Sequence, residues 1–356
     1  MKVAIATGDW NDKAKHEDGT PILGGAGWIR LGQYQKDSTL GAVTGELIWN
    51  RDERIFGVRS WDLVEHFDCD IIVMQRWMHE SIPDRIKEVR KKGQVILNDI
   101  DDWYWGLSQQ NSAFYDSHPK VNPNENINHY KKTLIRSDGV ITSTPYLADR
   151  LSSFIPRDRI HILENHVELD KFAPYEHAES EHPVIGWIGS TAHRSGDLDV
   201  LKFAYSQNDD KFRYHHSGHV GWFPHFYDEV GMGKDDVTIL LPVPPEKLGE
   251  QYVFDIGVVP LKNIPFNDAK SWIKGLEYAA AGIPFVASPS EEYVRFKKEY
   301  GVGRLAKNGG AWTKHFNELA DPRVRAEEAE AALQAIQPLD VAYGAKKWDE
   351  IVSSFA

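Results

Sequence analysis

The sequence predicts an α/β fold made of two doubly wound domains with a C-terminal helical segment. With 356 residues the chain exceeds the roughly 250–300 residues that one hydrophobic core usually serves, so two domains are expected. Short β-branched runs alternate with helical patterns in two stretches, and a polar segment containing proline separates them. Such alternation is typical of parallel sheets with helices on both faces.

The first stretch, residues 1–175, is predicted to form an N-terminal Rossmann-like domain. Its strands are expected in short runs rich in Val and Ile, at 2–6, 70–74, 94–98, 139–142 and 160–163. Its helices are expected where apolar residues recur with helical spacing, at 82–92, 126–136 and 146–154.

A second Rossmann-like domain is predicted for residues 183–335. The preceding segment, 172–182, lacks periodicity and contains proline, which predicts a linker. The strands of this domain are expected at 184–188, 212–215, 237–241, 256–259 and 284–287. Residues 336–356 are predicted to form a C-terminal helix that packs back on the N-terminal domain.

The composition predicts a soluble, cytoplasmic protein without nucleic-acid partners. The chain carries 41 basic and 53 acidic residues and a formal net charge of -12, which repels a polyanion. No stretch approaches the roughly 20 consecutive apolar residues of a membrane span, and the first residues do not resemble an export signal. The single cysteine, Cys69, allows no internal disulfide and fits a reducing compartment.

The most informative motif follows the predicted strand 256–259. Residues 265–282 read as a loop and then a helix that ends at a glycine. In this helix Lys270, Lys274 and Glu277 are spaced so that they share one face. A lysine in the first turn can meet a diphosphate at the helix N-terminus, and a glutamate two turns later can accept hydrogen bonds from ribose hydroxyls.

This motif resembles that of retaining glycosyltransferases of the GT-B fold, especially those similar to glycosyltransferase family 4. The resemblance implies two Rossmann-like domains facing across a cleft that binds a nucleoside-diphosphate sugar, with Glu277 on the ribose. A second glutamate that the family often has eight residues earlier is Ala269 here. Lys270, Phe266 and Asn267 are therefore expected to replace it on the donor. The alternative is that Glu277 only forms a solvated ion pair with its neighbouring lysine.

The end of the first strand of the second domain predicts a diphosphate cradle. Gly189 permits close approach of the backbone, and Ser190 can cap the next helix. His193 and Arg194 add hydrogen-bond donors near the same helix N-terminus. This is where the resembled family binds the donor phosphates. The alternative is a plain helix cap with solvent-facing basic residues.

Residues 23–30 form a glycine-rich loop that leads into a predicted helix. Such a loop taken alone often serves only a tight turn. The resembled family places a similar loop over the cleft, where it touches the donor phosphate or the acceptor. Gly25, Ala26 and Gly27 are candidate donor-binding residues on that resemblance.

Carboxylates beside aromatic residues follow the predicted strand 94–98. Asp101 and Asp102 can orient or deprotonate an acceptor hydroxyl. A divalent-metal role like that of Asp-x-Asp in GT-A enzymes is disfavoured, because a single-domain GT-A fold leaves the second Rossmann-like half unexplained. A pair of helix-capping aspartates with aromatic core neighbours is the other alternative.

Three histidines, at 215, 216 and 219, are candidate ligands of a zinc site, since three imidazoles can make a catalytic zinc centre. Adjacent histidines on a strand point to opposite faces, which opposes joint ligation. No metal site is therefore predicted.

The sequence thus predicts transfer of a sugar from a nucleoside-diphosphate sugar to a hydroxyl group of a glycan, protein or small-molecule acceptor. Retention of configuration follows from the resemblance, and neither a metal nor another cofactor is expected. The candidate catalytic residues are Asp101, Asp102, His193 and Lys270. Two alternatives stay open: a nucleotide-sugar epimerase on the same fold, and a non-catalytic nucleotide- or glycan-binding protein, which Ala269 favours. The base, the sugar and the oligomeric state are left open.

Overall fold

Two units share the part of the chain that the computed structural model describes, residues 1–15, 21–42, 69–191, 196–208, 210–218, 225–243 and 245–356. Unit 1 consists of Met1–Leu107, Phe114–His166 and Val341–Ala356. Unit 2 consists of Ser108–Ala113 and Val167–Asp340. The sequence-based bounds 1–175, 183–335 and 336–356 stay predictions.

Unit 1 is built on a parallel sheet. Its strands are β1 (Lys2–Thr7), β2 (Trp10–Lys15), β3 (Pro21–Leu23), β4 (Gly41–Ala42), β5 (Ile71–Gln75), β6 (Val95–Ile100), β7 (Gly139–Thr142) and β8 (Ile160–Ile162). β2 and β3 pair antiparallel, whereas the other six form one parallel sheet in the order β4-β1-β5-β6-β7-β8. β1 lies inside the sheet and the chain extends the sheet from it in both directions, which makes the unit doubly wound.

Helices cover both faces of this sheet. The described helices of unit 1 are Gly25–Gly27, the π-helical Trp28–Gly32, Gln33–Asp37, Ile82–Lys91, Tyr104–Gly106, Asn126–Arg136, Pro145–Leu151, Arg157–Arg159 and Val341–Ser353. The helix Ser112–Ser117 begins in unit 2 and ends in unit 1. Alternate residues of β5 enter two different cores, as the period of two of a strand requires. Ile72 packs in a cluster with Ile86 of one helix, and Ile71 packs in a cluster with Leu31 and Trp348 of two others.

The helix Val341–Ser353 belongs to unit 1 although it follows unit 2 in sequence. Its Trp348 is 1% exposed and stacks on Tyr34, with ring centroids 6.1 Å apart. Its Asp349 accepts hydrogen bonds from the hydroxyls of Ser38 and Thr39, the latter at 2.6 Å. Apolar stacking and a charge-assisted hydrogen bond therefore both hold this helix in unit 1.

Unit 2 repeats the doubly wound pattern. Its strands are β9 (Val184–Ile188), β10 (Arg213–Ser217), β11 (Val237–Leu240), β12 (Ile256–Val259), β13 (Phe285–Ala287) and β14 (Arg304–Leu305). They form one parallel sheet in the order β11-β10-β9-β12-β13-β14. The helices of four or more residues are Leu198–Leu201, Lys202–Ser206, Phe226–Val230, Pro245–Gln251, Pro265–Asp268, Ile273–Ala280, Glu291–Tyr300, Gly309–Leu319 and Pro322–Ala335.

Two parallel doubly wound sheets confirm the predicted fold class. Three of the predicted strands, 139–142, 184–188 and 256–259, have the observed bounds, and the other predicted strands shift by a residue or two. The sequence did not predict β2, β3, β4 or β14. β4 and β14 are two-residue edge strands, too short to show a hydrophobic pattern.

The predicted linker 172–182 has no helix or strand. It is fixed to unit 2 by polar contacts. The Tyr175 amide donates to the Ala281 carbonyl at 2.8 Å, and His177 Nε2 contacts the Gly282 carbonyl at 2.8 Å. Arg325, which is fully buried, donates to the Ala178 carbonyl at 3.0 Å. These contacts satisfy backbone groups that a loop would otherwise leave to water.

Candidate functional site

In unit 2, the carboxyl ends of β9 and β10 come into close contact. A Cβ on Gly218 would lie 2.0 Å from the Gly189 carbonyl oxygen, so this approach requires glycine at 218. The Gly189 amide donates to the Ser217 carbonyl at 2.9 Å. The turn after β9 is therefore held by backbone contacts at the edge where doubly wound sheets bind ligands.

His216 supports the same turn. Its Nε2 lies 2.9 Å from the Gly189 carbonyl oxygen. Its ring packs against both Trp187 and Phe226, with centroids 5.1 Å from each, and those two rings also contact each other at 5.5 Å. Burial lowers the pKa of His216, so the ring is neutral near pH 7 and donates one hydrogen bond.

The neighbouring histidine has a different environment. Burial lowers the pKa of His215 to about 4, and its ring lies edge-on to Phe254. His219, the third member of the group considered from the sequence, lies outside the described residues. Within the described ranges no group of three or more His, Cys, Asp or Glu side chains is arranged to hold a metal ion.

Glu277 lies at the centre of a buried polar cluster in unit 2. Its Oε2 is 2.5 Å from Lys274 Nζ and accepts a hydrogen bond from the Tyr252 hydroxyl at 2.7 Å. The Glu277 side chain is 5% exposed and that of Lys274 is 19% exposed. The pair is therefore not a solvated surface pair. Burial, and then the charge of Glu277, raise the pKa of Tyr252 well above its ordinary value, so Tyr252 remains a donor.

The helix that carries this pair begins later than the sequence predicts. Pro265–Asp268 forms a short helix of its own, and the next helix starts at Ile273. Lys270 lies between the two helices, not in the first turn of the second. Its Nζ lies 4.3 Å from the centre of the Phe266 ring. The prediction that Lys270 shares one helix face with Lys274 and Glu277 is therefore wrong. The chain turns before Ile273, and this turn buries Trp272.

Asn267 and Asp197 fix the loop after β12. Asn267 is 1% exposed, and its Nδ2 donates to Asp197 Oδ1 at 2.7 Å and to the Lys262 carbonyl at 2.9 Å. Asp197 also accepts from the Lys262 amide at 2.9 Å. Asp197 and Lys262 carry no signal in the sequence, since they share no local motif with Asn267. Charge-assisted hydrogen bonds to one carboxylate restrict the motion of this loop at the carboxyl end of β12.

Lys262 lies against the turn that follows β9. A Cβ on Gly196 would lie 2.1 Å from Lys262 Nζ, and Lys262 Nζ is 3.2 Å from Asp199. The helical segment Leu198–Leu201 follows this turn, and the role of Ser190 as a helix cap stays a prediction. His193 and Arg194, predicted to contact the diphosphate, lie outside the described residues.

In unit 1, the predicted glycine-rich loop is the first turn of a helix. Gly25–Gly27 is already helical and continues into the π-helical Trp28–Gly32. The Gly27 amide donates to Asp9 Oδ2 at 2.8 Å, which places a carboxylate at the helix N-terminus. A Cβ on Gly27 would lie 2.8 Å from the Asp9 carbonyl oxygen, which explains the glycine there. The Ala26 carbonyl lies 3.4 Å from Gln75 Nε2.

A fully buried ion pair lies behind this turn. Arg30 and Asp99 are both 0% exposed, and Arg30 Nη2 is 2.7 Å from Asp99 Oδ2. Arg30 Nη1 also donates to Asn165 Oδ1 at 2.7 Å. Gln75 donates to Asp99 at 3.1 Å and accepts from the Thr7 hydroxyl at 2.7 Å. The network joins three strand ends. Arg30 was not predicted as part of a site, since its partner is distant in sequence.

Asp101 pairs with Arg76 at the end of the neighbouring strand. Arg76 Nη2 lies 3.0 Å from Asp101 Oδ2, and Arg76 Nη1 lies 3.5 Å from Asp9 Oδ1. Burial raises the pKa of Asp101 to about 6, although Arg76 acts in the opposite direction. Arg76 has φ 61°, a left-handed backbone conformation that is rare for a non-glycine residue. Such an outlier at a strand end often marks a functional site.

Neither aspartate caps a helix with its side chain. The short turn Tyr104–Gly106 has Trp103 at its N-cap, without a side-chain cap hydrogen bond. Asp102 contributes its carbonyl, which accepts from the Tyr104 amide at 3.2 Å. The interpretation of Asp101 and Asp102 as helix caps is therefore wrong.

Among the described helices, none is long and apolar enough to cross a bilayer.

Comparisons with known proteins agree with this geometry. No protein-family model matches the chain. The chain is 24% identical over 218 residues, 58% of its length, to a protein of Bacillus subtilis described as the teichuronic acid biosynthesis glycosyltransferase TuaH. It spans about half the length of that relative, 53%.

Solved structures that match almost the whole chain include two whose names refer to sugars. Sucrose-phosphate synthase of Thermosynechococcus elongatus has a TM-score of 0.68 at 14% identity and covers 99% of this chain and 98% of its own. HepE of Anabaena, in complex with UDP and glucose, has a TM-score of 0.68 at 14% identity and covers 99% of this chain and 100% of its own. The fold that the sequence motifs predict is confirmed: the chain has the GT-B fold that these glycosyltransferases share, while the likeness to family 4 and retention of configuration stay predictions.

Proposed function

We propose that the protein transfers a glycosyl unit from a nucleoside-diphosphate sugar to a hydroxyl group of an acceptor. The similarity to a curated glycosyltransferase and the shared GT-B fold support this activity. The HepE structures contain UDP and UDP-glucose, which makes uracil the base of first choice. Retention of configuration, independence of metals and other cofactors, and a cytoplasmic location belong to the same proposal.

The buried Glu277 cluster carries the proposal on the donor side. A carboxylate that is 5% exposed, paired with Lys274 and fixed by the Tyr252 hydroxyl, is preorganised. Its remaining acceptor capacity suits the two hydroxyls of a ribose. Lys274, which keeps 19% of its side chain exposed, supplies positive charge beside it for a diphosphate.

The diphosphate leaves with additional negative charge when the glycosidic bond breaks. Lys270, Arg194 and His193 are the proposed donors that stabilise this charge, together with the backbone amides after Gly189 and Ser190. Phe266 and Asn267 shape the loop from which Lys270 projects. In this proposal the turn at Gly25, Ala26 and Gly27 also contacts the donor.

Asp101 is the proposed base for the acceptor hydroxyl. Its pKa of about 6 leaves it mostly ionised at pH 7 and close enough to neutrality to accept a proton. Arg76 holds its carboxylate from one side at 3.0 Å. Asp102 is the proposed second carboxylate that orients the acceptor.

A thermal-shift series with UDP, GDP, ADP and UDP-glucose tests the donor site directly. A ligand that binds only the native state raises the melting temperature, and at about a hundredfold excess over its Kd it adds roughly 2.7 kcal/mol of stability. We expect UDP and UDP-glucose to raise it and ADP to leave it unchanged. No shift with any nucleoside diphosphate at millimolar concentration would contradict the proposal.

One observation favours a binding protein without turnover. The position of the family's second glutamate is Ala269, which is 0% exposed and offers no polar side chain to the donor sugar. Consumption of UDP-glucose that is abolished by Lys270→Ala would exclude this alternative. An epimerase would consume the donor without any acceptor, whereas the proposed transferase requires one for rapid turnover.

A further inference from the structure

Two tryptophans follow the proposed base in unit 1. Trp103 and Trp105 come directly after Asp101 and Asp102 at the carboxyl end of β6. Both indole rings are partly exposed, whereas Tyr104 between them is 8% exposed. A strand end that presents two large aromatic rings to solvent beside two carboxylates is not explained by core packing.

The two indole rings pack against each other and against a neighbouring residue of unit 1. Their ring centroids lie 4.7 Å apart at 47°. Trp105 rests edge-on against Phe154 at 5.2 Å, and Lys131 Nζ lies 4.6 Å from the centre of the Phe154 ring. The aromatic surface is therefore held in place before any ligand arrives, which lowers the entropic cost of binding.

The charges at this strand end disfavour an anionic ligand. The described carboxylates of the group are Asp9, Asp99, Asp101 and Asp102, its guanidinium groups are Arg30 and Arg76, and its ammonium group is that of Lys131, over the Phe154 ring. Arg30 forms an ion pair with Asp99, and Arg76 forms ion pairs with both Asp9 and Asp101. Carboxylates in excess of guanidinium groups repel a phosphate or an acidic sugar and accept hydrogen bonds from neutral hydroxyls.

We propose that Trp103 and Trp105, with the Asp101–Arg76 pair, form the acceptor subsite and bind a neutral pyranose ring of a glycan. The apolar C–H face of a pyranose lies on the indoles, and its equatorial hydroxyls donate to Asp101 and Asp102. Trp103 and Trp105 are then specificity-determining residues, since a serine side chain or a simple alcohol offers no such face. The biological meaning of this subsite rests on the proposed transfer activity.

Binding is tested on the full chain without a donor. Neutral methyl pyranosides of glucose, galactose, mannose and N-acetylglucosamine, with methyl glucuronide and glycerol as comparisons, are titrated by ligand-observed NMR. We expect at least one neutral pyranoside to bind, and Trp103→Ala to weaken it by about fivefold or more, the effect of roughly one aromatic contact. Trp103→Phe should keep most of the affinity. Tyr115→Ala removes an aromatic side chain that is 59% exposed elsewhere in unit 1 and is the matched control.

Three results would overturn the inference: no neutral pyranoside binds, Trp103→Ala and Trp105→Ala both leave its Kd unchanged, or methyl glucuronide binds better than every neutral pyranoside. Circular dichroism and the UDP-induced shift in melting temperature establish that each variant is folded. Pyranoside binding that depends on Trp103 in a protein that ignores all nucleoside diphosphates would support this subsite and reject the proposed donor site. Failure of the pyranose subsite and failure of the proposed donor site therefore give different results.

Discussion

Replacement of Glu277 by glutamine removes one negative charge from a cluster that otherwise keeps its shape. The amide still accepts from the Tyr252 hydroxyl, but Lys274 loses the carboxylate 2.5 Å from its Nζ. Removal of one partner from a fully buried ion pair costs about 3–5 kcal/mol. Because Lys274 is 19% exposed, its ammonium can move toward water, and we expect a smaller loss of about 1–3 kcal/mol in unfolding free energy.

The effect on nucleotide binding is separate. Ribose hydroxyls that donate to a carboxylate contribute about 1.5–3 kcal/mol, so Glu277→Gln should weaken UDP binding by about 10- to 150-fold. Calorimetric titration with UDP, well below the melting temperature, measures this loss. Urea unfolding measures the loss of stability.

Unit 2 provides a matched control on another helix. Glu292 and Arg295 also form a pair three residues apart, at 2.7 Å, with side chains 3% and 21% exposed. Glu292→Gln should cost less stability, because Arg295 keeps its pair with Glu299 at 3.2 Å, and it should leave UDP affinity unchanged. The double variant Glu277→Gln/Lys274→Met should regain stability relative to Glu277→Gln alone, because the unpaired ammonium is gone.

The reasoning fails on a specific outcome. If Glu277→Gln binds UDP within about twofold of the parent protein, a difference of roughly 0.4 kcal/mol, the cluster is only a structural ion pair. The double variant would then recover full stability and unaltered affinity. In that case the donor assignment of Glu277 must be abandoned.

Three further predictions concern unit 1. Arg30→Met should lower the unfolding free energy by about 3–5 kcal/mol in urea, because it leaves the fully buried Asp99 unpaired; a loss below about 1 kcal/mol would show that the pair is dispensable. Burial raises the pKa of Asp101 to about 6, so its contribution to stability is present below its unfolded pKa and is lost as pH rises through 6. The melting temperature of Asp101→Asn should therefore depend less on pH between about 4 and 6 than that of the parent, and an identical pH profile would contradict the shift. Asp349→Ala removes two hydroxyl contacts of the last helix and should cost about 1–3 kcal/mol by thermal denaturation, whereas an unchanged melting temperature would show that stacking alone holds this helix.

Patterns confined to one strand or helix were predictable from the sequence. The run 184–188 is apolar and β-branched because its strand is central in a parallel sheet and covered on both faces. The helix 126–136 has the observed bounds because its apolar residues repeat with helical spacing. Both features depend on neighbours in the sequence, and so the fold class was within reach.

Features that depend on distant partners were not predictable in this way. The helix after β12 was expected to include Lys270, but burial of Trp272 against Phe296 interrupts it. The pair of Arg30 and Asp99 joins residues 69 apart in sequence, so neither position carries a local signal. Tertiary contacts override local propensity at such places.

The place of the helix Val341–Ser353 in unit 1 affects the order in which the two units fold during translation. On the ribosome, the sheet of unit 1 emerges first, but Tyr34 stays without its stacking partner until Trp348 has been translated. Unit 2, apart from Ser108–Ala113, is one uninterrupted stretch from Val167 to Asp340, whose ends meet in a β-bridge. In nascent chains, unit 2 should therefore become resistant to protease before unit 1 does. This order is the reverse of the usual one, in which the N-terminal domain folds first.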